Sequence, residues 1–274
     1  MSGPLGASQY MYSSAAGAFY SHQIEQSCRF DEGSSSRLYR TFGAPSSTTA
    51  LTISFWLKIV EPDVDGYHVL FERGTGYAGG GGASIAIPTG GGLTDNALTM
   101  YGMAGDAGGN NGSNNNGIKT LHDPASWYHI HWKVDTSKSG MSGNNAKVVF
   151  HQNGVNVPFD TSSNEPSGNL NRFNDDGSVH SVGNSNGGNQ RSSYLAEFIF
   201  LDGQYEDYTT FGEFKNGVWI PKNPSGVTFG NNGFHLKFEN ASDLGNDSSG
   251  NNNDFTATGL GTDHKVLDSP TFGD

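Results

Sequence analysis

With 274 residues, the chain is long enough to bury roughly three quarters of its extended surface around one hydrophobic core. A net charge of −12 argues against a phosphate-binding nucleic-acid surface, and a single cysteine, Cys28, excludes an internal disulfide. No run approaches the roughly 18 apolar residues of a membrane helix. Glycine supplies 40 residues, about twice the usual share of about 7%, and charged residues are 15% against a usual figure of about 25%. Solubility therefore rests on the amides and hydroxyls of long loops. Residues 1–6 lack the charged and apolar regions of a secretory signal, and the single cysteine fits folding in a reducing cytoplasm.

In chain order, residues 1–26 read as an N-terminal arm and residues 27–274 as one domain. Tyr10, Met11, Tyr12, Phe19 and Tyr20 make the arm aromatic and uncharged, suited either to packing on another subunit or to lying as an extra strand on its own domain. Short β-rich runs follow at 51–59, 67–72, 83–87, 97–101 and 127–134. A run at 147–152 meets Asn153-Gly154, a strong hairpin signal, before 155–157; later strands are expected at 194–201 and 233–238. Within 51–59, Leu51, Ile53, Phe55, Leu57 and Ile59 share one face, while Thr52, Ser54, Trp56 and Lys58 take the other. That alternation predicts a sheet covered on one side. One helical turn is expected around 207–213, and loops at 79–82, 105–117, 162–177 and 183–190. About ten strands without helical crossovers predict an all-β fold, an antiparallel two-sheet β-sandwich of jelly-roll type.

Several segments resemble a known family. Cys28-Arg29-Phe30-Asp31-Glu32-Gly33 through Arg37-Leu38-Tyr39-Arg40-Thr41 is similar to the opening strand pair of laminin-G-like, concanavalin A-like domains. Thr52-Ile53-Ser54-Phe55-Trp56-Leu57-Lys58 resembles their Trp-bearing second strand, and Trp127-Tyr128-His129-Ile130 a mid-domain strand. A narrower likeness spans the segments Tyr194-Leu195-Ala196-Glu197-Phe198, Gly217-Val218-Trp219-Ile220-Pro221-Lys222, Asn232-Gly233-Phe234-His235-Leu236 and Asp247-Ser248-Ser249-Gly250-Asn251-Asn252-Asn253-Asp254. Their order resembles the laminin-G-like virion proteins of tailed bacteriophages, especially those of marine hosts. The resemblance implies a structural protein on the virion surface, as a head decoration or a tail or fibre component, assembled in the host cytoplasm. Its implied partners are other virion proteins and itself, as a homo-oligomer such as a trimer. A receptor-binding module for host surface glycans is the alternative, and a glycan-cleaving enzyme a third. In many cellular relatives the Asp-Ser-Ser-Gly-Asn loop precedes the first strand; here it lies near the C-terminus. A strand within 234–238 is therefore expected to fill the usual first strand's place, pairing beside Arg29–Asp31.

The residues offer little catalytic chemistry, and no enzymatic activity is expected. Glu61, Asp63 and Asp65 alternate, as paired glycosidase carboxylates would, but Pro62 and the end of the preceding strand make a turn the expectation. His129 and His131 project from one strand face, where packing competes with metal binding. Cys28 opens a strand and is expected to be buried and inert. Asp247, Asn251 and Asp254 supply oxygen ligands suited to calcium, the one cofactor considered, although such loops also form through side-chain bonds to their own backbone. Asp175-Asp176-Gly177 reads the same way. Tyr77, Tyr101, Tyr205, Tyr208 and Trp219 lie in or near loops and are the candidate aromatic platforms for a glycan; no glycan-binding residue is assigned from sequence.

Overall fold

The computed structural model describes residues 19–61, 66–74, 82–89, 96–102, 115–160, 163, 165–170, 172–185 and 191–271. In chain order the strands are β1 (Ser27–Phe30), β2 (Arg37–Thr41), β3 (Ala50–Ile59), β4 (Gly66–Arg73), β5 (Ala83–Thr89) and β6 (Ala97–Tyr101). Next come β7 (Asn115–Thr120), β8 (Tyr128–Asp135), β9 (Val148–Gln152), β10 (Val155–Asn156), β11 (Val179–Val182) and β12 (Ser193–Asp202). The chain ends with β13 (Gly212–Lys215), β14 (Val218–Pro221), β15 (Phe234–Leu236), β16 (Thr256–Thr258) and β17 (Lys265–Val266).

The strands form two large antiparallel sheets. The first runs β10-β9-β8-β3-β12-β1-β17, with β15 also on β12, and the second runs β16-β2-β11-β4-β5-β6-β7. The expected β-sandwich is therefore present. Its core lies between the sheets and contains the predicted inward face of β3, namely Leu51, Ile53, Phe55, Leu57 and Ile59. Phe55 stacks on Phe198 at 4.8 Å and Trp132 on Phe150 at 4.3 Å, the offset-parallel contacts that large aromatic cores favour.

Three expectations need correction. The loop expected at 105–117 ends early, because residues 115–117 already belong to β7; pairing with β6 overrides the low β-propensity of Asn and Gly. The other face of β3 is not left open: Thr52, Ser54 and Trp56 are buried as well. A third layer lies over them, built from a 3-10 turn at Tyr208–Thr210 and the β13–β14 hairpin. The expected pairing of 234–238 beside Arg29–Asp31 is also absent. β15 and β1 instead occupy the same edge of β12 end to end, at Phe198–Phe200 and at Ser193–Leu195.

The junction between those two strands is a β-bulge in β12 between Ala196 and Ile199, with Glu197 in the left-handed region at φ 47°. An extra residue there re-aims one side chain out of the ladder. Glu197 uses this freedom to reach His235 of β15 and, at 3.6 Å, His22 of the N-terminal segment.

Candidate functional site

The segment before β1 lies on its own domain where it is described. Ile24 is buried, its N–H donates to Thr271 Oγ1 at 3.0 Å, and its carbonyl accepts from Ser269 and Thr271. Ser21 donates to Glu213 at 2.7 Å. Of the arm residues expected to mediate assembly, Phe19 is exposed, its ring edge-on to Tyr20 with Lys215 Nζ 5.6 Å from its centre. Tyr10, Met11 and Tyr12 lie outside the described residues. On the same hairpin, Phe214 is 55% and Val218 52% exposed, on opposite faces of the strand pair.

The hairpin is anchored by Trp219. Its indole rests on His129 and Tyr208, and backbone closes in around it: a Cβ at Gly154 would lie 2.2 Å from the ring and one at Gly212 2.3 Å. Beneath it, His131 and His151 face one another with Nδ1 atoms 3.3 Å apart. His131 Nε2 meets the Glu206 carbonyl at 3.1 Å, an acceptor, so His131 carries its proton there and His151 donates across the pair. His129 bonds Ser54 at 2.9 Å, while its Nδ1 is buried without a partner. Burial holds His129 down at about 3 and His151 at about 4, and drives His131 well below the usual histidine range. These are neutral, packed side chains. Among the described residues no group of three or more His, Cys, Asp or Glu side chains is arranged to hold a metal.

Glu197 is the most unusual carboxylate. Burial alone would raise its pKa, yet the hydrogen bonds and charge of His22 and His235 outweigh it and bring the group to about 2. A cavity of about 10 Å³, room for about one water, opens beside Glu197, His22 and Ser54. The arrangement brings the N-terminal segment, β12 and β15 together at one carboxylate. Cys28 is fully buried, and burial pushes its thiol well up. Asp63 and Asp65 lie outside the described residues.

On the outer face of the second sheet, Tyr39, Ser181, Glu72, Ser84 and Tyr101 stand opposite one another across five strands. Glu72 is the one carboxylate of that row and accepts from Ser185 at 2.9 Å. Sequence reasoning missed this row, because each strand contributes a single polar residue.

At one rim of the sandwich the Asp247 loop folds back on itself. The two carboxylate oxygens of Asp247 accept from four donors: His235 N and Ser249 N at 2.8 Å, Ser249 Oγ at 2.6 Å and Asn253 N at 2.9 Å. Asp254 Oδ1 accepts from Asp247 N at 2.8 Å, and Asn251 turns its amide to the Gly230 and Gly233 carbonyls. Asp247 and Asp254 thus spend these oxygens on hydrogen bonds that hold the turn, while Asn251 spends its NH2 group on neighbouring carbonyls. Asp175 likewise pairs with Arg73 and accepts from Ser178 at 2.6 Å.

Beside this loop lies an open cleft of about 660 Å³ between residues 227–231 and Ser249 and Asn251. Its floor is fixed by Asp202 at the end of β12, which is fully buried and accepts from Ser46 N (2.7 Å), Asn174 Nδ2 (2.6 Å) and Asn232 N (3.0 Å). Gly230 has φ 75° and sits so close that a Cβ would lie 2.1 Å from the Asp202 carbonyl, so only glycine fits. Of the aromatics expected as glycan platforms, Tyr101 and Trp219 are buried, Tyr205 and Tyr208 are half-buried, and Tyr77 lies outside the described residues. Phe229, which sequence reasoning passed over, is the aromatic residue that lines the cleft.

No family model and no curated protein matches the chain. Among solved structures, the receptor-binding domain of botulinum neurotoxin mosaic serotype C/D is similar over 66% of this chain and 40% of that one, at 9% identity and TM-score 0.41. Botulinum neurotoxin serotype C1 binding domain is similar over 58% and 34%, at 12% identity and TM-score 0.35. The enzymatically active domain of bacteriophage CBA120 tailspike protein 2 is similar over 72% and 31%, at 12% identity and TM-score 0.29. The chain therefore spans about a third to two fifths of the length of these solved chains.

Proposed function

We propose that the chain is a non-catalytic surface module of a tailed-phage particle, acting through contacts with itself and with other virion proteins. The observation that carries this reading is the hairpin ridge of β13–β14, where Phe214 on one face and Val218 on the other stand 55% and 52% exposed, with Phe19 40% exposed beside Lys215. Large side chains left in water by a fold with a well-filled core mark a surface made to be covered. The ridge also lies where the N-terminal segment joins the domain, the segment whose composition suits subunit contacts. The resemblance of the chain's ordered motifs to laminin-G-like virion proteins supplies the particle.

Sedimentation of the full chain tests this directly. The wild type is expected to self-associate with rising concentration, and Phe19→Asp/Val218→Asp, altering exposed positions away from the Trp219 anchor, to remain monomeric and folded. A wild type that stays monomeric throughout, indistinguishable from the variant, removes the ridge as an assembly surface. A second reading, recognition of a host surface glycan, is favoured by the rim cleft, an open depression lined by Phe229 and the Asn231 and Asn251 amides.

A further inference from the structure

The side chains lining the rim cleft define which ligand chemistry it could accept, an inference that rests on the glycan reading above. None of the residues lining it, 227–231 with Ser249 and Asn251, is ionisable. Asn231 donates its amide to the Ala44 carbonyl at 3.2 Å, and Asn251 donates to the Gly230 and Gly233 carbonyls at 2.7 and 3.0 Å. Those partners only accept, so the orientation of each amide is fixed, with both N–H groups of Asn251 and one of Asn231 committed. The Oδ1 atoms of Asn231 and Asn251 meet no donor among the described residues. Ser249 Oγ is also tied, donating to Asp247 and accepting from Asn251 N at 3.2 Å.

The cleft thus offers fixed amide acceptors, the exposed Thr228 hydroxyl and a ring, with no charge among the described residues that line it. Phe229 is half-buried and stacked on His235, with ring centres 6.3 Å apart. The Asp202 and Asp247 networks hold both walls before any ligand arrives, which lowers the ordering cost of binding. We infer that the cleft binds a neutral saccharide whose hydroxyls donate to the Asn231 and Asn251 amide oxygens while a C–H face lies on Phe229. An acidic sugar would bring a charge that no cation among the described lining residues meets.

Glycan-array binding by the full chain, with neutral glycans on one set of spots and sialylated, uronic or sulfated glycans on another, tests this. Thr228 is exposed and its side chain takes no part in the frame's hydrogen bonds, so Thr228→Trp fills the cleft without loosening it. Wild type is expected to bind neutral glycans, Thr228→Trp to bind at least about tenfold more weakly with an unchanged melting temperature, and Asn251→Ala to bind several-fold more weakly. Binding confined to acidic glycans, or binding that survives Thr228→Trp, overturns the inference and leaves the glycan reading standing. Absence of binding to every glycan removes both.

Discussion

Acidification is expected to unfold this protein well above the range in which its carboxylates titrate. Burial holds His68 and His129 down at about 3 and His180 at about 4, with Asp175 partly offsetting burial at His180. Each is neutral in the folded chain but takes up a proton below about pH 6.5 when unfolded. The unfolded state therefore binds more protons, and stability falls as pH drops from about 6.5 towards the folded values. Each histidine contributes about 1.4 kcal/mol per pH unit. From about pH 6.5 to 4.5 these three cost on the order of 8 kcal/mol, comparable with the whole stability of a typical domain at 5–15 kcal/mol. His131 acts in the same direction. The depressed carboxylates Glu197 and Asp207 contribute stability that is lost only below about pH 4.5, so the two windows separate. Urea midpoints between about pH 7.5 and 5 measure the slope. His180 stacks on Phe42 at 3.6 Å, so His180→Phe keeps the packing and is expected to lower the slope by about one proton. A stability that stays flat from about pH 7 to 5 refutes the reasoning.

Two further outcomes follow from the packing. Gly212→Ala places a methyl 2.3 Å from the Trp219 ring, and should cost about 1–3 kcal/mol by overpacking while exposing that indole, visible as a red-shifted tryptophan emission; an unshifted spectrum with full stability contradicts the clamp. Asp202→Ala strips the acceptor from four donors, Ser46 N, Ser47 N, Asn174 Nδ2 and Asn232 N, and should cost at least about 3 kcal/mol in urea melts. A loss under about 1 kcal/mol would show that water replaces the carboxylate there.

What the sequence determined by itself is the sandwich. The alternation of Leu51, Ile53, Phe55, Leu57 and Ile59 is local information, set by the two-residue period of a strand, and it assigns the core face correctly. Asn153-Gly154 marks its hairpin for the same reason, because turn chemistry acts over two residues. The polar-looking side of β3 was misleading: whether Thr52, Ser54 and Trp56 meet water depends on a hairpin some 160 residues later that folds over them. The rim cleft was equally hidden. Phe229, Asn231 and Asn251 carry no motif, and Asp202 looks like the end of a strand until Ser46, Asn174 and Asn232 arrive from distant loops to surround it. A strand's faces follow from neighbouring residues, whereas a site made of single residues from separate loops exists only once the sheets have brought those loops to one rim.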